Sequence, residues 1–118
     1  MMKPPAADPG IGFHYYQIGT VRLLQSRTNE AILWLEKART ALSGVPNVHG
    51  RLASAYALSG ETERAGAELA EARRLNGGDL FSSVTHLKAN GFWGSPKIQA
   101  LFEATYFAGL RKAGMPEE

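Results

Sequence analysis

Cysteine is absent from this chain of 118 residues, which excludes disulfide bonds and thiolate metal ligands and leaves the redox compartment open. A continuous apolar run of about 18 residues, the length that a membrane-spanning helix needs, is also missing. The first residues, from Met1 to Pro5, lack the apolar core of a signal peptide. We therefore expect a cytoplasmic protein without a membrane partner.

An excess of charge of one sign is missing as well. Lys and Arg number 13 and Asp and Glu number 11, so the formal net charge is only +2 at pH 7. The basic side chains are scattered among acidic ones, whereas a nucleic-acid-binding protein is expected to show a basic face. The composition therefore argues against a nucleic-acid partner.

No segment of consequence alternates apolar and polar residues as a strand does, and the predicted fold class is therefore all-α. Residues 1–10 hold three of the six prolines and are predicted to be a flexible leader. Six helices are predicted, with the approximate bounds 11–26, 28–42, 47–58, 62–75, 79–89 and 97–112.

Particular residues set these predicted bounds. Thr28 and Asp79 can cap helices with their side-chain oxygens, and Ser95 begins the last helix. Pro46 fits a first helical turn, where its missing N–H costs little. The run Asn76-Gly77-Gly78 is expected to end the fourth helix, because glycine readily takes the left-handed conformation at a helix C-terminus.

A sequence pattern recurs at an offset of 34 residues. Aligning residues 12–45 with 46–79 gives seven identities in 34 positions, where unrelated sequences would share roughly two or three. A fixed period of this size is typical of stacked helical hairpins. The recurring core positions are Ala31, Leu35 and Ala38, which return as Ala65, Leu69 and Ala72.

These residues resemble the tetratricopeptide repeat, in which an aromatic residue and an apolar–small pair precede Ala, an apolar residue and Ala in the second helix. Arg22 and His49 depart from the pattern, because each stands where an aromatic residue is usual. The residues that carry the resemblance are Tyr15, Ile18-Gly19, Ala31, Leu35 and Ala38, then Leu52-Ala53, Tyr56, Gly60, Ala65, Leu69 and Ala72.

The resemblance implies a right-handed superhelix of antiparallel helix pairs. One TPR-like domain would cover residues 11–118. It would contain two repeats and a C-terminal capping helix pair, at 12–45, 46–79 and 80–113. The last helix is expected to fold back and cap the second repeat.

A closer resemblance covers nearly the whole chain. It is similar to the C-terminal repeat region of alphaproteobacterial multidomain proteins that are adenylate/guanylate cyclase-like. The stretches that carry it are Tyr16–Gly19, Leu23–Thr28, Ala55–Leu58 and Phe107–Glu118. The resemblance implies a regulatory or assembly element of bacterial signalling. No cyclase residue carries over, because such enzymes hold two metals with paired aspartates and this chain has only Asp8 and Asp79.

No catalytic residue, metal ligand set or cofactor site is predicted. The three histidines, His14, His49 and His86, lack the further ligands that a closed metal site needs. The carboxylates Glu61, Glu63, Glu68 and Glu71 are expected to form a solvated helix face, with Arg64 and Glu68 paired at i, i+4. We therefore expect a protein that is not an enzyme.

A partner-binding groove is the main functional prediction. In repeats of this type the first helix of each pair lines a concave face, and aromatic residues mixed with Arg and Asn suit a peptide or protein partner. The predicted groove residues are Phe13, Tyr16, Gln17, Thr20, Asn47, Arg51, Ser54, Phe81 and Lys88, with Val84 and Thr85 beside them.

A second hypothesis concerns the aromatic-rich first helix. It has no preceding repeat, and apolar surface left open in this way marks an interaction site. Residues 11–24 would then mediate homodimerisation or dock onto an upstream domain. Trp93, in a glycine-flanked loop, is either pinned under the last helix or an anchor for a partner.

Overall fold

The computed structural model describes residues 9–118, and every regular element in that range is a helix, which confirms the all-α class. The helices are α1 (Pro9–Leu24), α2 (Thr28–Ala41), α3 (Pro46–Leu58), α4 (Thr62–Asn76) and α5 (Val84–Ala89). The last helix follows without a break as α6 (Pro96–Phe102), a π-helical segment (Glu103–Phe107) and α7 (Ala108–Lys112). Within residues 9–118 no helix is both long enough and apolar enough to cross a bilayer.

The predicted leader, 1–10, falls mainly on residues 1–8, which lie outside the described residues. Pro9 and Gly10 already belong to α1. The first helix therefore begins two residues earlier than the predicted start at Ile11.

Three of the predicted helix signals are confirmed. Pro46 occupies the first turn of α3. Gly77 ends α4 at a φ of 70°, and its N–H donates to the carbonyl of Arg73 at 3.2 Å. The Ser95 hydroxyl accepts from the N–H of Ile98 at the start of α6. Each of these signals acts through its own neighbours, so it does not depend on distant packing.

Two predicted caps are wrong. Thr28 is already the first residue of α2, and Arg27 holds the cap position without a side-chain hydrogen bond. Asp79 does not begin the fifth helix, because a turn follows it in which the Ser82 N–H donates to the Asp79 carbonyl at 2.9 Å. Ser83 caps α5 instead, accepting from the His86 N–H at 3.0 Å. The fifth helix is thereby shortened to six residues.

Two helical hairpins lie side by side. α1 packs along α2, α3 packs along α4, and α2 packs on α3. Gly19 permits the close approach of α1 to α2, since a Cβ on this residue would lie 2.6 Å from Cγ of Leu35. The interior positions that recur at the 34-residue offset are at most 3% exposed, namely Ala31, Leu35, Ala38, Ala65, Leu69 and Ala72.

The last helix lies against α3, and its π-helical segment also contacts α1. This placement differs from the predicted capping pair at 80–113, because α5 and the last helix do not pack along each other as α1 and α2 do. The last helix covers the first helices of both hairpins instead. Burial of large side chains on the last helix drives this packing, and these are Phe102, Tyr106, Phe107 and Leu110.

The C-terminal residues hold α5 in place. The N–H groups of Val84 and Thr85 donate to the carbonyls of Pro116 and Glu117, both at 2.9 Å. Met115 is buried beside them, at 3% exposure. A six-residue helix is not stable alone in water, so these contacts are part of what maintains it.

Candidate functional site

The structure buries three of the nine predicted groove residues. Arg51, Ser54 and Phe81 are 8%, 0% and 1% exposed, so the prediction that they line an open groove is wrong. The physical reason is the last helix, which packs on α3 at the place where a partner was expected. The Ser54 hydroxyl donates to the carbonyl of Tyr106 at 2.8 Å, so the chain itself covers the face of α3 that was expected to line a groove.

The other six predicted residues do not form one surface. Phe13, Gln17 and Asn47 are exposed, and Tyr16, Thr20 and Lys88 are half-buried. Gln17 borders a depression on the outer face of α1. Asn47 lines a small pocket with Arg51, and Lys88 lines a larger cleft beside the last helix. The predicted site is therefore divided among three places.

Arg51 lies in a cage of aromatic rings. Its guanidinium carbon is 4.1 Å from the ring centroid of Tyr106, with three further rings at 5.4 to 5.6 Å, those of Phe102, Tyr16 and Trp93. The ring faces attract the cation through their quadrupoles. The sequence prediction placed Tyr16 and Arg51 in one groove, and the structure brings these two together.

Three rings of this cage were not predicted as site residues. Phe102 and Tyr106 come from the last helix, and Trp93 comes from the loop before it. The sequence marks them only as aromatic, and no spacing rule relates them to an arginine about forty to fifty-five positions earlier. Their role follows from where the last helix docks.

A small pocket of about 140 Å³ reaches Arg51 from the solvent side. The Asn90 carboxamide donates to the carbonyl of His86 at 2.8 Å, which fixes one wall. The lining residues are uncharged except for Arg51, and they are Asn47, Leu80, Leu87, Asn90, Gly91, Phe92 and Trp93.

A larger cleft of about 510 Å³ is lined by the same loop and by the last helix. Trp93 is among its lining residues, and the Trp93 ring packs edge-on against Phe107 with centroids 4.9 Å apart. The Trp93 indole N–H donates to the Lys88 carbonyl at 3.0 Å. Of the two alternatives for Trp93, the ring therefore follows the one in which it is held within the fold. Phe92, the preceding residue, is 92% exposed at the rim of this cleft.

A charge cluster borders the cleft. Glu103 forms ion pairs with Lys88 and Arg111, and Arg111 also bonds Glu117. The hydrogen bonds from Arg111 and Lys88 lower the pKa of Glu103 to about 2. Glu103 therefore stays ionised at neutral pH and ties the last helix to α5.

The outer face of α1 carries exposed apolar side chains. Phe13 and Val21 are 49% and 47% exposed, and a depression of about 220 Å³ lies between the turns. Tyr15 does not belong to this face, because it packs on Trp34 with ring centroids 5.7 Å apart.

Glu68 is not part of a solvated helix face as the sequence predicted. Its side chain is 12% exposed, and it pairs with His49 and Arg39 rather than with Arg64. Arg64 pairs with Glu61. The 34-residue repeat brings α2, α3 and α4 together around Glu68, and the i, i+4 rule cannot foresee such a contact.

Among residues 9–118 no group of three His, Asp or Glu side chains could hold a metal ion. The three histidines lie in different surroundings. His49 is buried against Glu68, His86 pairs with Asp79, and His14 is exposed.

Comparison of the chain with protein-family models, with curated proteins and with solved structures finds no match in any of the three. The pocket, the cleft and the outer face of α1 are the features of the molecule that bear on its function.

Proposed function

We propose that this chain is a non-catalytic, TPR-like protein–protein interaction module that binds an extended peptide segment in the cleft beside the last helix. The observation that carries the proposal is Phe92, which is 92% exposed at the rim of a cleft of about 510 Å³. Large apolar side chains held open beside a concavity are typical of partner-binding surfaces. The concave face of the hairpins is not the proposed site, because the last helix fills it.

The cleft chemistry indicates what the peptide must offer. Trp93 and Phe107 contribute apolar lining, and Gln99, Lys88 and Glu103 supply polar groups beside them. An aromatic or branched apolar side chain would bury against that lining while the peptide backbone meets the polar groups. The partner is therefore a peptide with one large apolar anchor.

The biological setting in this proposal rests on sequence alone. The resemblance to the repeat region of cyclase-like proteins supports a regulatory or assembly role in bacterial signalling. The composition supports a cytoplasmic location. Because the last helix covers the first helices of both hairpins, the partner would be recognised by a loop and not by the repeats.

A peptide-display selection against the purified protein tests the proposal. An enriched peptide should carry a large apolar residue and lose at least about tenfold in affinity against Phe92→Ser, since a central aromatic contact is worth about 2 kcal/mol. Phe13→Ser is the matched control, because it removes an exposed phenylalanine on α1.

Two outcomes would contradict the cleft as the binding site. One is a selection that enriches no peptide. The other is a peptide that binds Phe92→Ser normally and loses affinity for Phe13→Ser. Fluorescence anisotropy with a labelled peptide measures both variants directly.

Self-association through α1 is the second candidate function. Phe13 and Val21 leave apolar surface open on its outer face, and a depression of about 220 Å³ lies among His14, Gln17 and Ile18. Size-exclusion chromatography with light scattering gives the mass in solution. A dimer that Phe13→Glu converts to a monomer supports this candidate, and a monomer at all concentrations removes it.

A further inference from the structure

Arg51 is a buried cation without an anionic partner. Its side chain belongs to a residue that is 8% exposed. Its Nε is buried without a hydrogen-bond partner among residues 9–118, and the lining of the pocket beside it holds no carboxylate. Removing a charge from water costs several kcal/mol unless other groups compensate it. The surrounding rings supply part of that compensation through cation–π attraction, and the Tyr106 hydroxyl is a neutral acceptor beside the guanidinium, but neither supplies a negative charge.

The pocket at Arg51 is shaped for a small ligand. Its volume of about 140 Å³ is enough for a few non-hydrogen atoms. None of its described lining residues is acidic. Glu103, on the nearby last helix, is already neutralised by Lys88 and Arg111. A negative ligand would therefore meet one unpaired positive charge and no lining carboxylate.

We propose that this pocket binds a small oxyanion, a carboxylate or a phosphate group, on the guanidinium of Arg51. A guanidinium presents its N–H groups as a planar fork that matches two oxygens of such an anion. The aromatic rings hold the fork in place before binding, so little conformational entropy is lost on capture.

Asn47 supplies a second donor to the pocket. It lies one helical turn before Arg51 on α3, and both residues line the cavity. Its carboxamide has no hydrogen-bond partner among the described residues. Both residues are in the first half of α3, whose N-terminal end carries partial positive charge and favours a nearby anion.

The site stands independently of the proposed peptide cleft. The two cavities share the loop residues Gly91, Phe92 and Trp93, but Asn47 and Arg51 line only the smaller one, and Gln99 and Glu103 line only the larger one. Oxyanion binding needs no peptide, and peptide binding at the cleft needs no oxyanion.

Titration of the ¹⁵N-labelled protein with sodium phosphate and with sodium acetate, at constant ionic strength and pH, tests the proposal. The Trp93 indole signal should shift and saturate. The Trp34 indole is an internal reference, because Trp34 lies on α2 beside Tyr15. Tighter binding of phosphate assigns a phosphate group as the ligand, and tighter binding of acetate assigns a carboxylate.

Arg51→Met should weaken the binding at least about tenfold, the loss expected for one charge-assisted contact. Met keeps the length and apolar contacts of the side chain, and circular dichroism verifies that the variant folds. Arg74→Met removes an equal charge from an exposed site on α4 and should bind the anion as the parent does. Arg51→Lys keeps the charge without the planar fork, so it should bind more weakly than the parent and serves if Arg51→Met does not fold.

The proposal is overturned if neither anion gives a saturable shift in the parent protein. It is also overturned if Arg51→Met folds and binds the anion as tightly as the parent. If only Arg51→Lys folds, the same result for Arg51→Lys overturns it. An equal loss in Arg74→Met overturns it too, because net charge rather than the pocket would then account for binding.

Discussion

Glu68 joins the two hairpins at the scale of a single residue. Its Oε1 lies 2.6 Å from Nδ1 of His49, and Arg39 bonds its other oxygen. Nε2 of His49 faces the carbonyl of Ser43 at 2.7 Å. Both ring nitrogens therefore face acceptors, and only the protonated imidazolium can donate to both. The hydrogen bond with Glu68 raises the pKa of His49, although burial works against it.

We expect stability to depend on pH through His49. Because its pKa is raised in the folded state, its contribution is complete below its usual value of about 6.5 and is lost as the pH rises through the folded pKa. The difference in melting temperature between the parent and His49→Gln should be largest below about pH 6.5 and should shrink as the pH rises above that value. If the difference in melting temperature does not change with pH, the neighbours of His49 do not raise its pKa.

Gly109 is the point of closest approach between the last helix and α3. A Cβ at this position would lie 2.6 Å from the carbonyl oxygen of Ser54, which is backbone and cannot move aside cheaply. Ser54 was predicted as a groove residue, but no sequence pattern relates it to Gly109.

We expect Gly109→Ala to lower the free energy of unfolding by about 1–3 kcal/mol, because it overpacks this contact. Gly66→Ala is the control. Gly66 is an exposed helical glycine on α4 with open space around it, so alanine there should add about 0.5–1 kcal/mol. Urea denaturation measures both, and an unchanged stability for Gly109→Ala would mean that this helix contact does not form.

At the scale of elements, the last helix owes its fit to its π-helical segment. A regular α-helix turns about 100° per residue, which spreads three consecutive side chains over a wide arc. Here Thr105, Tyr106 and Phe107 are all buried. The Thr105 hydroxyl donates to the Leu101 carbonyl at 2.7 Å, and Ser54 donates to the Tyr106 carbonyl. These bonds supply donors to carbonyls in and beside the widened turn.

The ion pairs of Glu103 join the last helix to α5, and we expect them to contribute modestly. The carboxylate is half-exposed, so Glu103→Gln should cost about 0.5 kcal/mol at neutral pH, the size of a solvated pair. The folded pKa is lowered to about 2, so this contribution is present above the unfolded value and disappears as the pH falls through the folded one.

Chemical denaturation at several pH values measures this effect. Glu63→Gln, at an exposed position of α4, should change stability little at any of them. A difference between the parent and Glu103→Gln that persists towards pH 2 would contradict the assignment of the lowered pKa to Lys88 and Arg111.

The helices could be predicted from sequence because their signals are local. Pro46, Gly77 and Ser95 act through neighbours within one turn. The Ala and Leu positions of the repeat indicate which side of each helix packs against its partner in the hairpin. Asp79 failed as a cap because the turn after it and the better-placed Ser83 compete within the same five residues.

The candidate sites could not be predicted in the same way. Whether Arg51 and Ser54 face solvent depends on where the last helix docks, and that contact joins residues more than forty positions apart. The repeat pattern predicts which helices line a concave face. It does not say that the same chain will fill that face, so the expected partner groove became an internal interface.

In the molecule as a whole, the last helix occupies the surface where a partner was expected to bind. The last helix covers the first helices of both hairpins, while Phe92 and the outer face of α1 remain available. Under the proposed function, another protein would be recognised by the loop that carries Phe92 or by the exposed face of α1. That proposal depends on the placement of the last helix over the first helices of both hairpins.

Nuclear Overhauser effects from the Arg51 side chain show directly whether the last helix lies in this place. With the last helix in the concave face, the ring of Tyr106 lies 4.1 Å from the guanidinium carbon. We therefore predict cross-peaks between Arg51 and the rings of Tyr106, Trp93 and Tyr16, with Arg51 side-chain shifts moved upfield by the rings. Random-coil shifts for Arg51, without a cross-peak to Tyr106, would show instead that the last helix does not cover α3.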